Sequence, residues 1–172
     1  MSTRILIAED DPIQRMELNQ MLTEQGYLVV GEAADGQSVV DLVSTLHPDL
    51  VLMDIRLPGQ DGISTAAMLR QQQLAPVVLL SAFSGGWFIE KAKDAGVLNY
   101  LVKPLRESEV VPAIEVALAR DKDRRAQEEQ ARLLSEQLET RKRADRERGF
   151  LLEKQRWEDE KRRWEEGEWW ED

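Results

Sequence analysis

Acidic side chains, a serine and a lysine follow short apolar runs at four places in the chain. Glu9 and Asp10 follow "ILIA", Asp54 ends "LVLMD", Ser81 follows "VVLL" and Lys103 follows "YLV". If these runs are parallel strands, their carboxyl ends meet at one edge of a sheet and the side chains converge there. Three converging carboxylates repel one another, so the site must take up protons or a divalent cation.

The metal chemistry open to this chain is narrow. It contains no cysteine and a single histidine, which excludes thiolate and polyhistidine metal sites. Oxygen ligands alone favour Mg²⁺, held by one or two carboxylates, a carbonyl and waters. A lysine and a hydroxyl beside such a cation suit a phosphoryl group. Asp54 could then act as a nucleophile that forms an acyl phosphate. The alternative is that Asp54 is an ordinary polar residue in the loop after a strand.

Short apolar runs alternate with helix-like stretches over the first 120 residues. We predict strands at 4–10, 27–33, 49–55, 75–83 and 98–104, with helices between them and a further helix from about Arg106. Five such units in about 120 residues predict an α/β fold with a flavodoxin-like, doubly wound, five-stranded parallel sheet, since an eight-stranded barrel needs about 250. Near-continuous apolar strands indicate that helices cover both faces of the sheet.

The net charge of -10 is unevenly distributed along the chain. Residues 1–119 carry -8, residues 120–148 carry +2 and residues 149–172 carry -4. The acidic first part repels nucleic acid and suits a cation, so only the middle segment could attract an anionic partner. No long apolar run or signal-like start is present, and no DNA-binding domain is evident, so we expect a cytoplasmic protein without a membrane partner.

Four motifs in order, "ILIAEDD", "LMDIRLPGQDGI", "LLSA" and "YLVKP", resemble those of two-component response regulator receiver domains. The resemblance covers about residues 3–120, and we place the receiver at 1–120. It implies that Asp54 is the phosphoacceptor and that the phosphoryl group comes from a phosphohistidine of a sensor histidine kinase. It also implies that the protein is no enzyme beyond catalysing its own phosphorylation and dephosphorylation.

The same resemblance implies a ligand set for Mg²⁺. Asp10 and Asp54 would bind the ion directly, together with the backbone carbonyl of Arg56, and Glu9 would act through water. Asp11 falls one place beyond the usual acidic pair, so we interpret it first as the cap of the helix that begins at Pro12.

The resemblance assigns the phosphoryl contacts as well. Lys103 would pair with the phosphate, and Ser81 would bind a phosphoryl oxygen on activation. Tyr100 occupies the position of a switch aromatic that turns inward after Ser81 moves, and ordinary half-buried packing is the alternative for it.

Beyond residue 120 glycine and proline nearly vanish and charged residues dominate. This composition predicts a helical C-terminal extension over 121–172, within one helix that spans 106–165. A heptad frame is apolar at 5 of 12 core positions, so a coiled coil is indicated only around Ala131–Leu138. Self-association through this helix, giving a homodimer, would cover its apolar residues.

Residues 128–154 resemble the linker helix and opening of an ANTAR output domain, an RNA-binding antitermination module. The resemblance implies an alternative function, a transcription antiterminator controlled by receiver phosphorylation, with basic residues in 141–148 contacting RNA. The match ends at Lys154, where the family expects two more helices. This chain instead continues with an acidic segment that holds Trp157, Trp164, Trp169 and Trp170.

A third candidate is a haloacid-dehalogenase-like phosphatase, which also uses an aspartate nucleophile and Mg²⁺. That class requires a second aspartate two residues after the nucleophile, where this chain has Arg56. The phosphatase hypothesis is therefore the weakest of the three.

Overall fold

A computed structural model describes residues 1–82, 85–97 and 99–167, with only the backbone of Phe88. It divides into two compact units, Met1–Arg124 and Arg125–Asp172. Trp169 and Trp170 of the predicted acidic tail lie outside the described residues.

The first unit alternates strands with helices, as the sequence predicts. The strands are β1 (Arg4–Ala8), β2 (Leu28–Ala33), β3 (Leu50–Asp54), β4 (Val77–Ser81) and β5 (Asn99–Val102). The helices are α1 (Pro12–Glu24), α2 (Gly36–Leu46), α3 (Gly62–Gln71), α4 (Gly86–Asp94) and α5 (Glu107–Glu165). All neighbouring strands pair in parallel, so the flavodoxin-like doubly wound sheet is confirmed.

The predicted strands were too long at their ends. The prediction carried the first strand to residue 10, whereas β1 ends at Ala8 and Glu9 already lies in the loop beyond it. The reason is that an apolar pattern marks the buried part of a strand but carries no signal for the residue at which the backbone turns away.

The order of strands in the sheet is β2-β1-β3-β4-β5. The chain runs from β1 outward to β2 and then returns to the other side of β1 with β3. The direction of winding therefore reverses between β1 and β3, and ligands of such sheets bind at the carboxyl ends beside this reversal. The loops after β1 and β3 carry the predicted acidic residues.

Two apolar layers enclose the sheet, because alternate residues of each strand point to opposite faces. One layer packs α2, α3 and α4 against the sheet face that includes Leu6, Val51 and Leu79. The other packs α1 and the start of α5 against the face that includes Ile5, Leu52 and Leu80. Every residue of β3 and β4 is buried, which explains why both read as unbroken apolar runs.

Aspartate caps fix the starts of three helices. The Asp11 carboxylate accepts a hydrogen bond from the backbone N–H of Ile13 at 2.9 Å, so its interpretation as a cap is confirmed. Asp35 and Asp61 cap α2 and α3 in the same way, each bonding to the third residue beyond. Each cap satisfies backbone donors that have no partner within the helix.

Helix α5 runs from Glu107 to Glu165, close to the predicted span of 106–165. Its buried residues are Val110, Ala113, Ile114, Ala117 and Asp121, all of which belong to the first unit. Asp121 forms an ion pair with Arg124 at 2.7 Å. The predicted boundary after residue 120 stays a prediction.

No helix within residues 1–82, 85–97 and 99–167 is both long enough and apolar enough to cross a bilayer.

We predict that Gly62→Ala destabilises the first unit by about 2 kcal/mol or more. A Cβ at Gly62 would lie 2.3 Å from the carbonyl oxygen of Asp54, which is backbone that cannot yield without moving the site. Urea unfolding monitored by circular dichroism measures the change. The control is Gly86→Ala, whose Cβ meets nothing within 4 Å, and its stability should be unchanged or slightly higher. Equal stability of the two variants would contradict this packing argument.

Candidate functional site

A cleft of about 300 Å³ opens at the carboxyl ends of β1, β3, β4 and β5. It is lined by Glu9, Asp10, Asp11, Gln14, Asp54, Ile55, Arg56, Ser81, Ala82 and Lys103. All the residues that the sequence predicts for phosphoryl and metal binding therefore line one cleft, and the predicted switch residue Tyr100 is not among the lining residues.

The ammonium of Lys103 lies at the centre of the polar contacts. Its Nζ donates to Oε2 of Glu9 at 2.7 Å, to Oε1 of Gln14 at 2.7 Å and to Oδ2 of Asp54. An ammonium has three N–H donors, so these three acceptors account for all of them. The backbone N–H of Lys103 also donates to the carbonyl of Ser81 at 2.7 Å, which ties the end of β5 to β4.

The Asp54 side chain is fixed at both oxygens. Oδ1 accepts a hydrogen bond from the backbone N–H of Arg56 at 2.7 Å, and Oδ2 faces Lys103. The next residue, Ile55, donates its N–H to the carbonyl of Leu80 at 2.9 Å, so the turn after β3 stays attached to the sheet. Asp54 is only 7% exposed, and one edge of its carboxylate opens into the cleft.

Glu9 is even more enclosed than Asp54, with 2% of its surface exposed against 7% for Asp54. Burial raises the pKa of Glu9 to about 7; the hydrogen bond from Lys103 lowers it in part, while the nearby Asp54 raises it further. Burial by itself would lower the pKa of Lys103, but the hydrogen bonds with Asp54 and Glu9 outweigh it and the pKa lies above its ordinary value. One ammonium therefore serves two carboxylates.

The charges and donors of the cleft suit a divalent cation. Four carboxylates and two cationic side chains line it, which leaves a net charge of -2 when all are ionised. Asp10 is exposed at the mouth of the cleft. The predicted metal ligands are all oxygen atoms, from the carboxylates of Asp10 and Asp54 and the backbone carbonyl of Arg56. Among the residues that the structure describes, no three acidic side chains are already gathered around one point. Mg²⁺ needs only one or two carboxylates beside a carbonyl and waters, so this donor set fits it.

The hydroxyl residue and the aromatic residue lie on β4 and β5. Ser81, which is 2% exposed, ends β4 beside Asp54. Tyr100 is partly buried against the apolar layer formed with α2, α3 and α4, rather than in the cleft. In this structure Tyr100 is therefore a half-buried packing residue, as the alternative interpretation expects. Its role as a switch remains a prediction.

Two side chains of α1 contact the site, and the sequence analysis did not predict either of them. Gln14 contacts Lys103, and the guanidinium of Arg15 donates to the carbonyl of Glu9 at 2.7 Å. The only signal for Gln14 is its place three residues after the cap Asp11, which puts it in the first turn, above the loop that follows β1.

We predict that the metal-free protein loses stability as the pH rises from about 4.5 to about 7. Folded Glu9, with a pKa of about 7, holds a proton that the unfolded chain releases near its ordinary 4.5, so the folded state binds more protons in this window. The loss is at most about 3 kcal/mol. Urea unfolding in chelator at several pH values measures it.

Glu9→Gln is the matched variant, because its amide cannot titrate and its pH profile should be flat over this window. The capping carboxylates of Asp11, Asp35 and Asp61 have lowered pKa values, so their effect lies at more acidic pH. A wild-type profile as flat as that of Glu9→Gln would contradict the prediction.

The chain is similar to known proteins. Residues 5–115 match the family described as "Response regulator receiver domain". The transcriptional regulatory protein PdtaR of Mycobacterium tuberculosis is 48% identical over 151 residues, which cover 88% of this chain and 74% of PdtaR. The chemotaxis protein CheY of Thermotoga maritima is 35% identical over 115 residues, 66% of this chain and 96% of CheY.

Solved structures agree with this assignment. The receiver domain of sensor histidine kinase PA1611 from Pseudomonas aeruginosa, with magnesium coordinated in its active-site cleft, matches at a TM-score of 0.63 and 30% identity. The match covers 69% of this chain and 99% of that one. The family match, the relatives and the fold together establish that the chain belongs to the response regulator receiver family and that the protein is a response regulator of a two-component system.

Proposed function

We propose that Asp54 accepts a phosphoryl group from the phosphohistidine of a sensor histidine kinase. The observation that carries this proposal is the placement of the Asp54 carboxylate at the tip of β3, beside the ammonium of Lys103 and open to the cleft. A carboxylate oxygen attacks phosphorus, the bond between phosphorus and the imidazole nitrogen breaks, and the imidazole leaves with the electron pair. The product is an acyl phosphate on Asp54.

The side chains of the cleft have different roles in this transfer. Lys103 turns from the Asp54 carboxylate to a phosphoryl oxygen and stabilises its negative charge. Asp10, Asp54 and the Arg56 carbonyl would bind Mg²⁺ directly, with Glu9 acting through water. When bound, the ion would neutralise charge that develops on the phosphoryl oxygens. The domain acts as an enzyme only on itself.

The signal then passes to the opposite face of the sheet. The hydroxyl of Ser81 donates to a phosphoryl oxygen, and Tyr100 on the neighbouring strand turns into the space that opens. Ser81 pairs with Val102, and Leu79 pairs with Tyr100, so Ser81 and Tyr100 lie on the same face of neighbouring strands, offset by two residues. Phosphorylation would thereby change the surface near α4 and β5.

We predict that a small phosphodonor with Mg²⁺ adds one phosphate to the wild-type chain and none to Asp54→Asn. The amide of asparagine cannot act as the nucleophile. Intact-mass spectrometry measures the added mass. The control is Asp61→Asn, which keeps the cap of α3 in the same loop and should be phosphorylated like the wild type. Full labelling of Asp54→Asn would refute the assignment.

The metal ligands require their own test. Asp10→Ala should raise the Mg²⁺ concentration needed for half-maximal phosphorylation by about tenfold or more, because it removes a direct carboxylate ligand. The same Mg²⁺ dependence in Asp10→Ala and wild type would place the ion elsewhere.

The second unit would carry the output. The PdtaR match, at 151 residues, is longer than the first unit, so at least 27 of its residues lie beyond Arg124 in the second unit. Since PdtaR is named a transcriptional regulatory protein, we propose a transcriptional output controlled by the receiver. Antitermination through RNA is the second candidate, because 141–148 hold five basic residues and are exposed throughout. Labelled RNA tested with and without phosphorylation would decide between RNA and protein targets.

We also propose that two copies pair through the helix of the second unit. Leu134 and Leu138 are 54% and 58% exposed and lie four residues apart, on one face of the helix. Apolar side chains at this spacing in one helix fit the same side chains of a second copy.

We predict that the double variant Leu134→Glu/Leu138→Glu sediments as a monomer at concentrations where the wild type is a dimer. Charges at these positions would repel across the pair. The control is Leu133→Glu, since Leu133 is also exposed but lies on another face, and this variant should remain dimeric. A wild type that is monomeric at tens of micromolar, with its helicity intact, would refute the dimer.

A further inference from the structure

Among the described residues, the Lys103 ammonium has three hydrogen-bond acceptors, and Gln14 is the uncharged one. The other two acceptors, Glu9 and Asp54, are carboxylates. Phosphoryl transfer, as proposed above, converts Asp54 into an acyl phosphate, and Glu9 would hold a bound cation through water. The amide of Gln14 keeps the same charge and the same acceptor throughout.

The orientation of the Gln14 amide is fixed from its other end. Its Nε2 donates to Oδ2 of Asp11 at 3.0 Å, so its Oε1 is the atom turned towards Lys103. Asp11 is itself held as the cap of α1, where Oδ1 accepts from the backbone N–H of Ile13 at 2.9 Å. The start of α1, Asp11, Gln14 and Lys103 thus form one continuous chain of hydrogen bonds.

We propose that Gln14 is a positioning residue that holds the Lys103 ammonium over Asp54 and thereby sets the rate of phosphorylation. This inference rests on the proposed function of Asp54. An amide oxygen satisfies one N–H of Lys103 without neutralising its charge, so the full positive charge remains for the incoming phosphoryl group. A carboxylate in the same place would compete with that group for the ammonium.

Pre-organisation is the physical gain. A lysine side chain has four rotatable carbon–carbon bonds, and it loses much conformational freedom when its ammonium is fixed on a phosphoryl oxygen. In this cleft the restriction already exists before transfer, because Gln14 anchors the ammonium to α1. The ammonium can then move from Asp54 to the phosphoryl oxygen while one of its hydrogen bonds persists.

The experiment compares Gln14→Met with Gln20→Met in the full chain. Methionine matches the length of glutamine but offers no comparable acceptor, and Gln20 lies on the same helix with its amide bonded to Glu24, outside the site. Phosphorylation by acetyl phosphate is followed by intact mass over a range of Mg²⁺ concentrations. Gln14→Met should lower the maximal rate about three- to tenfold and leave half-saturating Mg²⁺ within about twofold of wild type. Gln20→Met should match the wild type in both.

A second measurement reports Lys103 directly. In protein labelled with nitrogen-15 lysine, the Lys103 ammonium should give a resolved signal that exchanges slowly with water, identified by its loss in Lys103→Arg. Gln14→Met should broaden or remove that signal, and Gln20→Met should retain it. A role confined to folding would instead lower the unfolding temperature and leave the ammonium signal in place.

The possible results separate clearly. An unchanged rate and an unchanged ammonium signal in Gln14→Met would overturn the inference, as would a loss of Mg²⁺ affinity as large as the loss of rate. If the wild type takes up no phosphate at Asp54, the proposed function fails. The ammonium signal then still decides whether Gln14 holds Lys103.

Discussion

The attraction of one enclosed ammonium for two enclosed carboxylates holds the site together. The side chains of Lys103, Glu9 and Asp54 are 18%, 3% and 10% exposed, and their contacts join β5 to the ends of β1 and β3. Removing one member of such a cluster leaves an uncompensated buried charge, which destabilises a fold strongly. The cluster is also incompletely neutralised, because the cleft carries a net charge of -2 when all its charged side chains are ionised. The same interaction that closes the fold therefore leaves a demand for a divalent cation.

Alternation along the strands decides which groups meet. Ile7 and Leu52 belong to the apolar layer packed by α1 and α5, and Glu9 and Asp54 stand two residues after them in the same rows. Leu101 packs against that layer as well, with Lys103 two residues beyond. Shifting any strand by one residue would turn its charged group to the other face.

Ser81 follows the opposite rows. Leu79, two residues earlier, belongs to the layer packed by α2, α3 and α4, and Tyr100 packs against that same layer. The charged cluster thus continues one face of the sheet and the two proposed switch residues belong to the other, and Asp54 and Ser81 line the same cleft at the carboxyl ends of the strands. This separation explains why α1 contributes Gln14 to the charged cluster.

Much of this site was predictable from the sequence, because each group follows a buried apolar run and a parallel sheet brings such positions together. Glu9, Asp54, Ser81 and Lys103 were found in this way. Gln14 was not, because a glutamine in a helix is equally suited to water and its contact depends on how α1 packs. Strand ends escaped prediction because hydrophobicity records burial and not the residue at which a backbone turns.

The helix of the second unit is stabilised by local interactions. Arg132 pairs with Glu129 and Glu136, each at 2.6 Å, and Lys142 pairs with Glu139 at 3.0 Å. Such pairs contribute about 0.2 to 0.5 kcal/mol each, and this segment is rich in strong helix formers.

Cooperative propagation over many turns adds to these local terms. Phe150, Trp157 and Trp164 recur at intervals of seven residues and are all more than half exposed. Aromatic groups at this spacing form an exposed apolar stripe along one side of the helix. The charged side chains of this segment therefore stabilise the helix through local ion pairs, whereas its large apolar side chains are exposed in the single chain.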